Sequence, residues 1–147
     1  MTTNLENSGA APEGTAGINI EFLFARYNTP QADPVTTFVL SPRLHLGTTI
    51  APDGISEIYA GFTWEHHFAS RLFFETSLGG AVHDGPTADN NADSYGCPLL
   101  FRESASLGFD ITNRVRILAT VDHISNAGLC SENQGLTNAG VRLGYRW

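Results

Sequence analysis

The feature that most constrains this chain is a long succession of segments in which apolar and polar residues alternate. In EIYAGFTWEHHF, for example, Ile58, Phe62 and Trp64 share one face, whereas Thr63 and Glu65 share the other. Because successive side chains of a strand point to opposite faces, this pattern indicates half-buried β-strands. Seven such segments, separated by turn-forming residues, are visible at 17–27, 38–50, 57–68, 71–83, 98–110, 114–125 and 137–147.

The lengths of these segments and of their connections narrow the fold further. Most segments have ten or more residues, which exceeds the usual strand of about 5–6 residues in soluble proteins and suits a tilted membrane-spanning strand. The connections at 68–70 and 111–113 are tight, whereas those at 84–97 and 126–135 are long and polar. Short turns at one rim and long loops at the other are typical of outer-membrane barrels. We therefore predict an all-β, antiparallel, up-and-down transmembrane β-barrel.

The end of the chain and the composition agree with this prediction. In GVRLGYRW, Val141, Leu143, Tyr145 and Trp147 alternate with polar residues, as in the last strand of an outer-membrane barrel. The 147 residues suit one domain, in which we expect residues 1–16 to be loop or disordered. A net charge of −7 without a basic cluster argues against nucleic acid as a partner.

Neither the cysteines nor the histidines indicate a metal centre. Cys97 and Cys130 stand in polar, turn-rich stretches, a placement that fits one disulfide or a pair of free thiols. His45 and His83 have no metal-ligand spacing with each other or with the cysteines. We predict no metal site and no cofactor.

Charged residues in the strands are predicted to fill a narrow barrel as a paired polar network. Their parity places the following on the interior face: Glu57, Glu65, His67, Glu75, Arg102, Arg116, Arg142 and Arg146.

The segment 114–125 carries the most informative pair of polar residues. Its odd positions are apolar except for His123 and Ser125, whereas Arg116 and Asp122 occupy even positions. Because a charged side chain facing hydrocarbon costs about 2–4 kcal/mol at the bilayer midplane, the odd face must point outward. His123 and Ser125 then face lipid at the extracellular end of the strand. Serine needs a base to become a nucleophile, and histidine is the usual one, so we predict an esterase that acts on a lipid.

Neighbouring residues could complete the site. Asn126 and Gly128 follow at once and offer a side-chain amide and a backbone N–H for an oxyanion hole. Pairing across the turn at 111–113 is expected to set Phe101 opposite His123. Glu103 would then be a diagonal neighbour on the same outward face, and we predict that it orients the imidazole. The alternative is a bulge that turns this carboxylate into the lumen.

The stretch HISNAGLCSENQGLTNAGVRLGYRW resembles the C-terminal part of the lipid A 3-O-deacylase (PagL) family. These are eight-stranded outer-membrane barrels that remove an ester-linked acyl chain from lipid A. SPRLHLG, YAGFTWEHHF and LGGAVHDG resemble earlier strands of the same group of acyloxyacyl hydrolases. The resemblance implies His123 as base, Ser125 as nucleophile, Asn126 and Gly128 as oxyanion-hole donors, and Asn133 as a loop-ordering residue. It also implies lipid A in the bacterial outer membrane as the partner, and no cofactor.

One departure from the family pattern concerns the third catalytic residue. The family has a glutamate twelve positions after the serine, where this chain has Thr137, which we expect to lie across from Ser125. A hydroxyl cannot stabilise an imidazolium as a carboxylate would. The open alternatives are Glu103, which is preferred, Glu132, or a histidine that works alone with reduced activity.

A second departure concerns the number of strands. The resemblance implies eight, whereas seven are visible, so we expect the first strand and a signal peptide to be missing, with residues 1–7 supplying only a stub. The resemblance also favours a disulfide between Cys97 and Cys130, on neighbouring loops of one rim. Two other functions remain open: a non-catalytic outer-membrane barrel with a degenerate site, and a soluble barrel that binds a small lipophile.

Overall fold

The computed structural model describes residues 2–4, 16–26, 33–87 and 94–146. Its strands are β1 (Thr2–Asn4), β2 (Ile18–Arg26), β3 (Arg43–Ile50), β4 (Glu57–His67), β5 (Leu72–His83), β6 (Leu99–Asp110), β7 (Val115–Ser125) and β8 (Leu136–Tyr145). All pairings are antiparallel, and the order in the sheet is β1-β8-β7-β6-β5-β4-β3-β2. The predicted all-β, up-and-down fold is confirmed. Within these ranges the structure has no helix that is both long enough and apolar enough to span a membrane.

The sheet curls so that one face becomes an interior. In β3 to β7 most alternate residues are buried, and the residues between them are exposed and mostly apolar. In β2 and β8 most of the inward residues are only half-buried. Phe73 has no exposed surface, whereas its neighbour Phe74 is 44% exposed on the outside. At the seam between β2 and β8, Arg142 Nη1 lies 3.2 Å from Glu21 Oε1, so the first and last long strands meet through interior side chains. This arrangement is a half-barrel whose outer wall is apolar.

The N-terminal strand is short. Residues 2–4 pair with residues 138–140 of β8, and they form the stub that was expected from residues 1–7. The expectation of loop or disorder over 1–16 is therefore wrong at these three residues, because they find backbone partners on the free edge of β8. Residues 5–15 and Trp147, the predicted end of the last strand, lie outside the described residues.

A short helix, α1 (Pro34–Val39), stands where the predicted strand 38–50 was expected to begin. Asp33 caps it by accepting a hydrogen bond from the Thr36 N–H at 2.8 Å. Hydrogen bonds from the Thr36 hydroxyl and from its N–H hold the pKa of this exposed carboxyl below its usual range. Proline at the first helical position suits this start. The strand itself begins only at Arg43.

Helix α1 lies against the outward face of β4. The Trp64 indole N–H donates to the carbonyl oxygen of Val39 at 2.9 Å. The Phe38 ring meets the His66 ring edge-on, with 6.2 Å between ring centroids. Both β4 residues belong to the outward set, so α1 sits outside the barrel and not within it.

The interior contains ion pairs, as the parity of the charged residues predicted. Arg102, which is 1% exposed, lies 3.4 Å from Glu57 and 3.1 Å from Asp122. Nearer the other rim, Arg116 lies 2.5 Å from Glu65. Buried charges are tolerated when they are paired in this way. The predicted polar network is confirmed for Glu57, Glu65, Arg102, Arg116 and Arg142. Glu75 is buried without an ion pair among the described residues, whereas His67 and Arg146 are exposed at the rim.

Candidate active site

His123 and Ser125 lie at the end of β7 on the outward face. Both side chains are half-buried, whereas the alternate residues Asp122 and Ile124 are 4% and 0% exposed on the inside. The structure therefore places the histidine and the serine on one face, as predicted, among the apolar residues of the outer wall. In the described part of the chain no hydrogen bond engages the Ser125 hydroxyl.

The His123 ring is held by β8. Its Nδ1 lies 2.8 Å from Thr137 Oγ1, and the two residues are directly paired across the strands. The expectation that Thr137 lies across from Ser125 is therefore wrong by two residues. The midpoint of the connection between β7 and β8 lies one residue earlier than expected, and each residue of shift in the midpoint moves the pairing by two. Thr137 instead occupies the position from which a third catalytic residue would contact the imidazole.

A glycine makes room for the same ring. A Cβ on Gly135 would lie 2.6 Å from His123 Cε1 and 3.1 Å from Nε2, so any larger residue would displace the imidazole. The pairing of Ile124 with Leu136, continued by one residue, sets Gly135 level with Ser125. The Nε2 edge of the ring thus points along β7 toward the position of Ser125.

Glu103 lies directly opposite His123, and Phe101 lies opposite Ser125. The expected pairing was off by two residues, because the turn between β6 and β7 centres one residue later than predicted. The register has no bulge, so Glu103 stays on the outward face, where it is exposed. Among the described residues no hydrogen bond joins its carboxylate to the imidazole, whose Nδ1 is engaged by Thr137.

Asn126 organises the loop that follows β7. It is 2% exposed, and its side-chain amide donates to the carbonyl oxygens of Tyr95, at 2.8 Å, and Glu132. Its Oδ1 accepts the Gly128 N–H at 2.8 Å. This use differs from the predicted one, because the donors assigned to an oxyanion hole are already engaged within the loop. For Glu132, the second candidate acid, the described residues show no bond to His123.

Asn133 is tied to the same loop from the other side. Its Oδ1 accepts the backbone N–H of Asn126 at 2.9 Å, which is the loop-ordering contact that the resemblance implied. This places the exposed Asn133 amide beside the Ser125–Asn126 peptide. Within the described ranges its Nδ2 protons have no acceptor. The Asn133 amide is therefore a hydrogen-bond donor near the candidate site, whereas the sequence analysis gave this residue only a loop-ordering role.

The two long loops of this rim are joined covalently. Cys97 and Cys130 form a disulfide with 6.1 Å between their Cα atoms. The chain turns sharply beside it, with Ala127 and Gly128 at φ values of 55° and 76°. The left-handed conformation at Gly128 suits glycine. No cluster of three or more potential metal ligands occurs in the residues that the structure describes.

A groove of about 440 Å³ leaves the site and crosses the outer wall. Six outward-facing side chains that line it are His123, Glu103, Val121, Ala105, Thr76 and Trp64. The sequence pattern gave no sign of this groove, because the outward residues that line it read simply as part of the apolar wall.

Comparison with known proteins places the chain among relatives. The model of the family described as lipid A 3-O-deacylase (PagL) matches residues 25–146. The crystal structure of the outer membrane enzyme PagL matches with a TM-score of 0.68, covering 99% of this chain and 97% of that chain. At 18% sequence identity the likeness shows the shared fold. No protein among those with curated descriptions matches. The chain belongs to the lipid A 3-O-deacylase (PagL) family.

Proposed function

We propose that this protein is an outer-membrane serine esterase that removes an ester-linked acyl chain from lipid A. Family membership and the fold of an outer-membrane enzyme support the substrate class. The observation that carries the proposal is the His123 ring, which is anchored at Nδ1 by Thr137 and turns its Nε2 edge toward the level of Ser125. A polar pair on an apolar wall is costly unless the lipid beside it provides its partner.

In this proposal Ser125 and His123 carry out acylation and deacylation in turn. A proton on His123 Nδ1, donated to Thr137 Oγ1, leaves the Nε2 lone pair free to accept the Ser125 proton. Ser125 Oγ then attacks the ester carbonyl carbon, and the tetrahedral intermediate expels the sugar oxygen, which takes the proton from Nε2. Water, deprotonated by the same nitrogen, attacks the acyl-enzyme and releases the fatty acid together with the free serine.

The charge that develops on the ester carbonyl oxygen needs donors. We assign this role to Asn133, whose Oδ1 is fixed by the N–H of Asn126, the residue that follows Ser125, and whose Nδ2 protons have no acceptor among the described residues. Donors that are held before the reaction begins need no reorganisation, which is the basis of oxyanion stabilisation. Asn126 supports this donor and is not itself the donor.

Two residues take the place of the family's glutamate. Thr137 fixes the orientation of the ring. Glu103, directly across from His123, supplies a negative charge on the same face of the wall. An opposite charge nearby stabilises an imidazolium even without a hydrogen bond, although less than a contacting carboxylate does.

The barrel orientation brings the site to its substrate. In outer-membrane barrels the short turns are periplasmic and the long loops extracellular. The loops bearing Tyr95 and Asn126 then lie outside, and the end of β7 lies level with the outer leaflet. In this proposal lipid A reaches Ser125 from the side of the barrel.

The test is the acyl pattern of lipid A in cells that express the chain behind a signal peptide. Mass spectrometry is expected to show lipid A that lacks one ester-linked chain. Ser125→Ala and His123→Ala should each lower the rate by about a thousandfold or more, as for other serine hydrolases. Ser70→Ala, in the turn at the opposite rim, serves as the matched control and should match the parent. An unchanged pattern in all four strains would exclude the esterase and favour the non-catalytic barrel.

A further inference from the structure

Arginines gather at the rim of the barrel that bears the short turns. Arg43 begins β3, whereas Arg71 and Arg114 directly precede β5 and β7. Arg26 ends β2, and Arg146 directly follows β8. Because antiparallel neighbours alternate in direction, all five of these strand ends lie at one rim. The chain has no lysine, and its other three arginines belong to the interior ion pairs.

The opposite rim, which bears the candidate active site, has the opposite charge. Its three connections, 51–56, 84–98 and 126–135, contain neither lysine nor arginine. The acidic residues of these connections are Asp53, Asp84, Asp89, Asp93 and Glu132. The charge of the chain is therefore divided along the barrel axis, with every arginine outside the interior at one rim.

Three of these five arginines are not used by the fold. The Arg26 and Arg43 guanidinium groups donate to backbone carbonyl oxygens of β4 and β2, so they hold the strand ends together. Arg71 and Arg114 are exposed and have no carboxylate partner among the described residues. Arg146 is 45% exposed, and its nearest carboxylates lie at 3.9 Å.

The last three, which we call the rim arginines, form an arc across β5 to β8. The carbonyl oxygen of Arg114 accepts the Arg146 N–H at 2.7 Å, so these two residues are direct neighbours. The carbonyl oxygen of Arg71 accepts the Asp110 N–H at 2.8 Å, one strand away. Two strand spacings of about 4.8 Å and two residues of about 3.4 Å put Arg71 roughly 12 Å from Arg114. The Asp110 carboxylate does not neutralise the arc, because two other side chains already bind it at 3.1 Å each.

The outer wall stays apolar up to this rim. Leu72, Ile111 and Tyr145, which stand close to the rim arginines in the chain, are all exposed. Helix α1 adds further exposed apolar side chains outside the barrel. Tyrosine and tryptophan rings such as Tyr145 and Trp64 favour the level of lipid headgroups. The rim arginines thus stand where acyl chains end and headgroups begin.

We propose that the rim arginines bind the phosphate groups of anionic phospholipids in the periplasmic leaflet. In outer-membrane barrels the short turns are periplasmic, which places the arc at that leaflet. A guanidinium group offers two parallel N–H donors to phosphate oxygens, and basic residues at a membrane surface attract anionic lipids. A zwitterionic headgroup is bound less well, because it places its own cation beside the arginines. The inference goes beyond the proposed esterase and does not depend on it.

Electron paramagnetic resonance measures this preference on the full chain in phosphatidylcholine vesicles. Trace phosphatidylglycerol or phosphatidylcholine, spin-labelled near the end of one acyl chain, reports how strongly each lipid associates with the barrel. Since one arginine near the surface favours anionic lipid by about fivefold, the ratio averaged over all surrounding lipids should be about threefold. The triple variant Arg71→Gln, Arg114→Gln, Arg146→Gln should bring this ratio to about one. High salt should also lower it, because exposed charges are screened.

The matched control changes the net charge by the same amount at the opposite rim. Pro52→Glu, Thr87→Glu and Leu129→Glu together add three negative charges at exposed positions and should keep the parental ratio. The change in electrophoretic mobility on heating shows that each variant is folded. The single variants Arg71→Gln and Arg114→Gln, in exposed turns, should each lower the ratio in part and serve if the triple variant does not fold.

Three results would overturn the proposal. The first is a ratio near one in the parent. The second is a parental ratio in the triple arginine variant, or in both single variants. The third is an equal loss in the control, because net charge and not the arc would then set the preference. Since neither lipid has to be cleaved, the outcome is independent of whether the chain hydrolyses lipid A.

Discussion

The interior and the outer wall of this barrel both carry polar side chains, but they treat them differently. Inside, Arg102 and Arg116 are 1% and 6% exposed, and each reaches carboxylates on other strands. On the wall, neither the Ser125 hydroxyl nor the Glu103 carboxylate has a hydrogen-bond partner among the described residues. Polar groups that the fold itself satisfies need no further explanation. Polar groups without a hydrogen-bond partner on an apolar surface suggest that a ligand provides the partner.

The difference separates stability from chemistry. Buried charges contribute to a unique structure only while both partners are present, because a lone buried charge is strongly unfavourable. Wall residues at the end of β7 bury little, so their loss should leave the fold intact. Substitutions in the two regions are therefore expected to have opposite signatures.

The largest effect is expected from Arg102→Leu. It leaves the carboxylates of Glu57 and Asp122 buried together without their cation, which should lower the free energy of unfolding by about 3–5 kcal/mol. Urea unfolding of the protein in lipid vesicles measures this change. Arg114→Leu, an exposed arginine in the turn before β7, is the control and should change stability by less than about 0.5 kcal/mol. A similarly small loss of stability in Arg102→Leu would show that the interior ion pairs do not stabilise the fold.

Asn133→Ala is expected to have the next largest effect, which is a loss of activity and not of stability. Loss of one oxyanion donor lowers kcat by about a hundredfold or more in serine hydrolases. KM for a short p-nitrophenyl ester should change little, because the donor acts on charge that appears in the transition state. Asn133→Asp keeps the oxygen that accepts the Asn126 N–H and removes the donor. Full activity in Asn133→Asp would show that this side chain only orders the loop.

Thr137 should have an intermediate effect. Thr137→Val keeps the shape and removes the acceptor for Nδ1, so kcat should fall about tenfold while the unfolding transition stays in place. Thr137→Glu restores the residue type of the family and should raise kcat above the parent, because a carboxylate stabilises the imidazolium that forms during the reaction. Ester hydrolysis followed from pH 5 to 9 tests both. Unaltered kcat in Thr137→Val would mean that the 2.8 Å contact does not orient the base.

The smallest effect is expected at Glu103. Because this carboxylate makes no hydrogen bond to the imidazole, Glu103→Gln should lower kcat only about threefold. High salt should reduce the difference between the two proteins, since charges at an exposed site are screened. If kcat fell as much in Glu103→Gln as in Thr137→Val, Glu103 would be a partner of His123 as important as Thr137. No loss at all would remove it from the site.

The strands and their faces were visible in the sequence because alternation has a period of two. The same property explains the errors in pairing. A register shift of two residues leaves every side chain on its own face, so the pattern could not tell Phe101 from Glu103 as the partner of His123. Only the geometry of the turns decides between them, and that depends on single residues of the connections.

Other features of the site depended on contacts that are remote in sequence. The Asn126 side chain binds the carbonyl oxygen of Tyr95, 31 residues away, and no local pattern indicates such a bond. Helix α1 was missed because its apolar residues run directly into the pattern of β3, although Asp33 and Pro34 are recognisable start signals. Gly135, which leaves room for the imidazole, reads in sequence as an ordinary loop residue.

The sideways placement of His123 and Ser125 has a kinetic consequence. An active centre that opens into a leaflet meets its substrate by two-dimensional diffusion, so turnover should follow the mole fraction of lipid A in the membrane and not its bulk concentration. Dilution of the vesicles with buffer would then leave the initial velocity per enzyme unchanged, whereas added inert phospholipid would slow it in proportion.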